Sequence, residues 1–175
     1  VGLYKSYTIG SQTNTIYGKV TVLESRSGSL TALDVTQNTA LTKLDVYHNS
    51  LTTLDVSQNT ALTILNVSDN QITALDVSGN IALQTLNCSN NAVAALDLSA
   101  NTQITNLQCA NCGLTGLNVS VQTSLTELNC RNTRAVSIGA NIAVNKHNID
   151  RRTVRILSKP KAETEAARAR EKCAE

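Results

Sequence analysis

The 175-residue sequence predicts a right-handed solenoid, mainly of short parallel strands with an irregular opposite side, and three observations carry that prediction. One phrase recurs, as LTALDVTQN (30–38), LTKLDVYHN (41–49), LTTLDVSQN (51–59), LTILNVSDN (62–70), ITALDVSGN (72–80), LQTLNCSNN (83–91) and VAALDLSAN (93–101). It continues more loosely as ITNLQCANC (104–112), LTGLNVSVQ (114–122) and LTELNCRNT (125–133). The second apolar residue falls at Leu23, Leu33, Leu44, Leu54, Leu65, Leu75, Leu86, Leu96, Leu107, Leu117 and Leu128, so steps of 10 and 11 alternate and the true period is 21. A fixed period of this size is the signature of stacked coils, none of which can bury its apolar face alone. Finally, the chain has no Phe, Trp or Met. A narrow two-armed coil has room only for aliphatic side chains.

The phrase L-x-x-L-x-V-x-x-N has a physical meaning. Around Leu-x-Val the apolar residues alternate, which gives an extended segment with one face inward. The chain must then turn, and Asn is the side chain that tolerates a turn and bonds backbone groups inside it. Coils stacked about 4.8 Å apart make one aliphatic core and a ladder of Asn side chains.

Taken in order, residues 1–19 alternate Tyr, Ile and Thr around a polar turn and suggest a short β-element, a hairpin that caps the open end of the core. The stretch 20–29 is a degenerate first unit, with Ser25 where Val or Cys is expected. The solenoid is expected over 20–145, in roughly six coils. Its 11-residue halves are monotonous. Asp34, Asp55, Asp76, Asp97 and Asn118 form one column there, and each Asp is expected to bond a nearby group such as Ser57, Ser78 or Ser99. A calcium ladder is the alternative, but no Gly- and Asp-rich turn accompanies the column. The stretch 135–143 fits a last half-turn with Ile138 in the Leu column. Residues 146–160 read as a carboxy-terminal cap with a strand at 153–157, and 161–175, rich in Ala, Glu and Arg, as a helical or disordered tail capable of self-association.

The 10-residue halves differ from coil to coil where they face outward. One column is Lys43, Ile64, Thr85, Asn106, Glu127, and the next Asp45, Asn66, Asn87, Gln108, Asn129. Two more run Tyr47, Ser68, Ser89, Ala110, Arg131 and His48, Asp69, Asn90, Asn111, Asn132. Monotony on one arm and variety on the other suits a scaffold with one working face, although neutral drift yields variety too. The expected ligand-binding set is Lys43, Asp45, Tyr47, His48, Asn66, Asp69, Asn87, Gln108, Asn111, Glu127, Asn129 and Arg131.

Cys88, Cys109 and Cys130 are 21 apart and stack on one interior column. In-register neighbours with parallel side chains do not meet the converging geometry of a disulfide, so they are expected as free, buried thiols. Cys112 falls in the Asn column, so the CxxC it forms with Cys109 does not suit zinc, and Cys173 is expected to be exposed and able to crosslink chains.

The LDVSxN halves (Leu54 to Asn59, Leu75 to Asn80), alternating with LNCSNN (Leu86 to Asn91), LQC (Leu107 to Cys109) and LNC (Leu128 to Cys130), carry a resemblance. Over roughly 20–141 the sequence resembles bacterial leucine-rich repeats of the 21-residue kind, most closely the internalin-like variant with a cysteine ladder. It departs from that pattern where Val46 and Val67 replace the ladder Cys. The resemblance implies a secreted or surface-attached protein that binds partners through a concave sheet.

Residues 20–134 carry a net −4, residues 135–175 a net +4 and the first nineteen +2. A mildly acidic repeat body without a basic aromatic stripe argues against nucleic acid. No apolar run is long enough to span a membrane. No Ser/His/Asp set, carboxylate pair or phosphate-binding glycine loop is present, and no cofactor or metal is expected. The function these features favour is a non-enzymatic module, secreted or on the cell surface, that binds a protein or glycan through its sheet. The alternative is a structural spacer within a larger surface protein.

Overall fold

The computed structural model describes residues 14–15, 19–134, 136–138 and 154–156. The strands in chain order are β1 (Asn14–Thr15), β2 (Val22–Glu24), β3 (Leu33–Asp34), β4 (Lys43–Asp45), β5 (Ile64–Asn66), β6 (Thr85–Asn87), β7 (Asn106–Gln108), β8 (Leu117–Val119), β9 (Glu127–Asn129), β10 (Val136–Ile138) and β11 (Val154–Ile156). The 10-residue halves supply a parallel sheet of six strands in the order β2-β4-β5-β6-β7-β9. Its register is 21 at every step: Leu23 faces Leu44, which faces Leu65, then Leu86, Leu107 and Leu128. The chain is therefore a parallel β-solenoid of the leucine-rich repeat class, with about five turns between β2 and β9. No helix occurs among the described residues.

The two inward Leu columns and the Val/Cys column form one core. Leu44, Leu65, Leu86 and Leu107 are fully buried, as are Val46, Val67, Cys88 and Cys109 above them on the same arm. Burying each such side chain contributes on the order of 1.5–3 kcal/mol, so five turns of repeated Leu outweigh the cost of ordering a coil with little regular structure.

The corners explain why the halves differ in length. In the first four 11-residue halves two short turns follow one another, as Asn59 N–H donates to Val56 O and Leu62 N–H to Asn59 O. In the 10-residue halves one residue is missing, and the corner closes through a left-handed residue instead. Ser27, His48, Asp69, Asn90, Asn111 and Asn132, all 21 apart, have φ between 53° and 64°. Asn and Asp tolerate that conformation better than other side chains with a Cβ, which accounts for their dominance of this column.

The hairpin expected over 1–19 falls on residues outside those described; β1, the one described strand there, pairs parallel with β3. At the other end, Val136 and not Ile138 takes the Leu column: Val136 faces Leu117, and Ile138 faces Val119. That step is 19 residues rather than 21. β11 then pairs with β10, which puts a strand at the core of 153–157 as the alternation there predicts. The tail over 161–175, with Cys173, lies outside the described residues.

Candidate binding face

The outward side chains of the six-stranded sheet form the face on which the sequence places its candidate residues. At the amino-terminal end they are paired with one another. Arg26 Nε donates to Asp45 Oδ2 at 2.7 Å, and its guanidinium also reaches Glu24 Oε1 at 3.3 Å. Lys43 Nζ lies 2.5 Å from the same Glu24 oxygen, and that hydrogen bond holds the Glu24 carboxyl below the usual carboxylate range. Asn66 Nδ2 donates to Asp45 Oδ1 at 3.0 Å. Asp45 is therefore only 5% exposed, its carboxylate engaged by Arg26 and Asn66. Arg26 and Glu24 were missed in the sequence because 20–29 reads as a degenerate unit; the signal was an opposite charge 19 residues before Asp45.

The middle of the face is neutral. Ile64 is 37% exposed, Thr85 and Asn87 are half-buried, and Asn87 Oδ1 accepts from Ser89 N–H at 3.1 Å. Ile64 stands in a column of the predicted face, but its type gave no reason to expect exposure. At the carboxy-terminal end Gln108 Nε2 donates to Asn106 Oδ1 at 2.9 Å, and Asn106 Nδ2 donates to Glu127. Asn129 is half-buried, with a buried side-chain oxygen that lacks a hydrogen-bond partner.

The other two candidate columns lie on the corner beyond the strands. The partly exposed Tyr47 packs its ring 5.8 Å from that of exposed His48. Asp69 and Asn111 belong to an amide ladder: Asn90 Nδ2 donates to Asp69 Oδ1 at 2.9 Å, Asn111 to Asn90 at 2.8 Å, and Asn132 to Asn111 at 2.5 Å. His48 and Asp69 share the left-handed corner conformation with the rest of this column, so backbone geometry gives their residue types a structural reason. Arg131 is exposed beside Asn132.

Behind this face a column of amides does the holding. Asn49, Asn70 and Asn91 each donate to carbonyls of their own coil and of the preceding one, as Asn70 Nδ2 does to Val67 O and Val46 O at 3.0 Å. Each side-chain oxygen accepts a backbone N–H, that of Leu30, Leu51 or Ile72. Cys112 takes the next place in this ladder, as the sequence indicates. Cys88, Cys109, Cys112 and Cys130 are buried free thiols. The Cys112 thiol beside it, together with burial, holds Cys88 well above the usual thiol range, and burial pushes Cys130 up to about 11. Such thiols are poor nucleophiles at neutral pH.

On the 11-residue arm Asp34, Asp55, Asp76 and Asp97 each accept the backbone N–H two residues on, from Thr36, Ser57, Ser78 and Ser99, at 2.9 Å. Those bonds hold the carboxyls below their ordinary range. Among the described residues no group of three or more His, Cys, Asp or Glu could hold a metal ion, and no helix is long and apolar enough to cross a membrane.

No protein-family model and no curated protein sequence matches the chain. Among solved structures, it is similar to the functional domain of InlJ from Listeria monocytogenes, which includes a cysteine ladder: 38% identity and a TM-score of 0.64, over 81% of this chain and 32% of that one. It is similar in fold to a leucine-rich repeat protein of Leptospira interrogans, with 19% identity and a TM-score of 0.62, over 81% of this chain and 39% of that one. The chain thus spans well under half the length of either structure. The unbroken 21-residue register, the stacked Cys88, Cys109 and Cys130, and the likeness to InlJ make this chain a leucine-rich repeat protein of the bacterial internalin-like kind.

Proposed function

We propose that the chain is a non-enzymatic binding module, secreted or displayed on a cell surface, that recognises a protein through the exposed face of its six-stranded sheet. The observation that carries this is the asymmetry of the coil. One column of the sheet face changes at every rung, as Lys43, Ile64, Thr85, Asn106 and Glu127, on a backbone held by inter-coil bonds, while the other arm repeats Asp, Ser and Thr. The likeness to InlJ supports the same reading. Affinity in such a face is concentrated in few residues, with Tyr and Arg enriched among them. Tyr47, Ile64, Asn87 and Arg131 are the residues on which we place it, as varied side chains that are at least partly exposed. An uncharged glycan is a second ligand class that the amides Asn87 and Gln108 suit.

Screening the chain against surface proteins and a glycan array, followed by titration of the ligand found, tests the proposal. Tyr47→Ala and Arg131→Ala should each weaken binding by about 1–2 kcal/mol with the fold intact, and Thr52→Ala should leave it unchanged. The internal pairing of Glu24, Arg26, Lys43 and Asp45 favours a second reading, a spacer whose face needs no ligand. Affinity that survives every sheet-face variant would support that reading.

A further inference from the structure

We propose that Cys88 and Cys112 close a reversible disulfide that staples two successive coils. Cys112 stands where earlier coils carry Asn49, Asn70 and Asn91, and it copies their geometry: its thiol donates to Cys88 O at 3.0 Å, just as Asn91 Nδ2 donates to Val67 O at 2.9 Å. An Asn in this place points its amide at the backbone below. A Cys brings a sulfur to the same point, and the residue below is also Cys. The two sulfurs lie 3.9 Å apart, both buried. A disulfide bond is about 2.05 Å long, so the sulfurs must close by roughly 1.9 Å, within reach of small rotations about two short side chains. The ladder neighbours Cys88, Cys109 and Cys130 instead stack in register with parallel side chains, about one strand spacing apart. Cys112 alone among the four enters from the corner, offset by 24 residues rather than 21.

The oxidant is a small disulfide such as oxidised glutathione. Cys112, between exposed Asn111 and exposed Gly113, is the thiol that reacts first. Its thiolate attacks one glutathione sulfur, breaking the glutathione disulfide and expelling one glutathione thiolate. While the chain is folding and Cys88 is not yet packed into the core, its thiolate then attacks Cys112 Sγ in the mixed disulfide and expels the second. One S–S bond forms as one breaks, the two protein thiols are oxidised by two electrons, and their two protons end on the two glutathione thiols. The staple falls on the corner of the sheet-bearing arm and constrains the unfolded chain.

The test refolds the full reduced chain from denaturant in a buffer of reduced and oxidised glutathione, so that burial does not limit access, and then alkylates the remaining thiols. Cleavage before Asp97 and after Glu127 separates Cys88, the Cys109–Cys112 fragment and Cys130. Mass spectrometry should find the Cys88 fragment joined to the Cys109–Cys112 fragment in the wild type and in Cys109→Ser, and not in Cys112→Asn, which restores the residue of the earlier coils. Adding reductant should lower the wild-type Tm by a few degrees and leave that of Cys112→Asn unchanged. Recovery of Cys88 and Cys112 both alkylated, a link that survives Cys112→Asn, or a link without effect on Tm would overturn the proposal.

Discussion

Beyond each strand of the 10-residue arm, the backbone goes on bonding to other coils: Val46, His48 and Ser50 N–H groups donate to Asn66, Ser68 and Leu30 carbonyls. On the 11-residue arm the equivalent stretch bonds to itself, through the paired turns at Val56–Asn59 and Asn59–Leu62. The buried amides differ in the same way. Asn70 uses both ends of its side chain, whereas Asn59, Asn80, Asn101 and Gln122 donate to carbonyls but have side-chain oxygens without a hydrogen-bond partner. One residue of corner length is the origin of both differences. The shorter corner forces a left-handed residue and keeps neighbouring coils in contact; the longer one closes locally and leaves its arm with few ladder bonds. The arm suited to present a varied face is therefore the one whose backbone is tied across coils.

That comparison can be tested, starting where the effect is largest. Leu86→Ala removes a fully buried side chain from the sheet-bearing arm and should cost about 2–5 kcal/mol in chemical denaturation. Leu75→Ala, on the other arm and slightly exposed, should cost less. Asn70→Ala strips partners from the Val46 and Val67 carbonyls and the Leu51 N–H and should cost about 2–3 kcal/mol; Asn80→Ala strips only the Val56 and Asn59 carbonyls and should cost about 1–2 kcal/mol. Equal costs would remove the distinction between the two ladders.

Smaller effects probe the corners. Ser27 has φ of 53°, so Ser27→Gly should stabilise by up to about 1 kcal/mol, while Ser57→Gly on the longer corner should destabilise by about 0.5–1 kcal/mol. The smallest effect is acidic. Asp34, Asp55, Asp76 and Asp97 have carboxyls held below their ordinary range, so the unfolded chain binds protons more tightly than the folded one. The stability they contribute is complete above the unfolded pKa of about 3.9 and is lost as pH falls through the lower folded values. Tm of a double Asp55→Asn, Asp76→Asn variant should fall less steeply below about pH 4. An identical slope would show that these turns do not depend on the charge.

Much of this molecule was legible from one phrase. Whatever repeats at 21 is written in the sequence itself: the buried Leu65, Leu86 and Leu107, the buried Asn80, the stacked Cys88, Cys109 and Cys130, and the Asp–Ser bonds of the long corner. Each depends on local alternation and on identical neighbours above and below, and both are visible as spacing. The short parallel strands follow for the same reason.

Contacts at other offsets were decided only by the folded corners. Arg26 reaches Asp45 across 19 residues, Cys112 reaches Cys88 across 24, and Val136 displaces Ile138 from the Leu column because the last corner loses two residues. The exposure of Ile64 and the near-complete burial of Asp45 are likewise tertiary. A period fixes which residues stack, because stacking repeats one geometry. It does not fix how a corner turns a side chain toward the coil before it, and on this chain that determines which residues of the sheet-bearing arm are engaged and which are open.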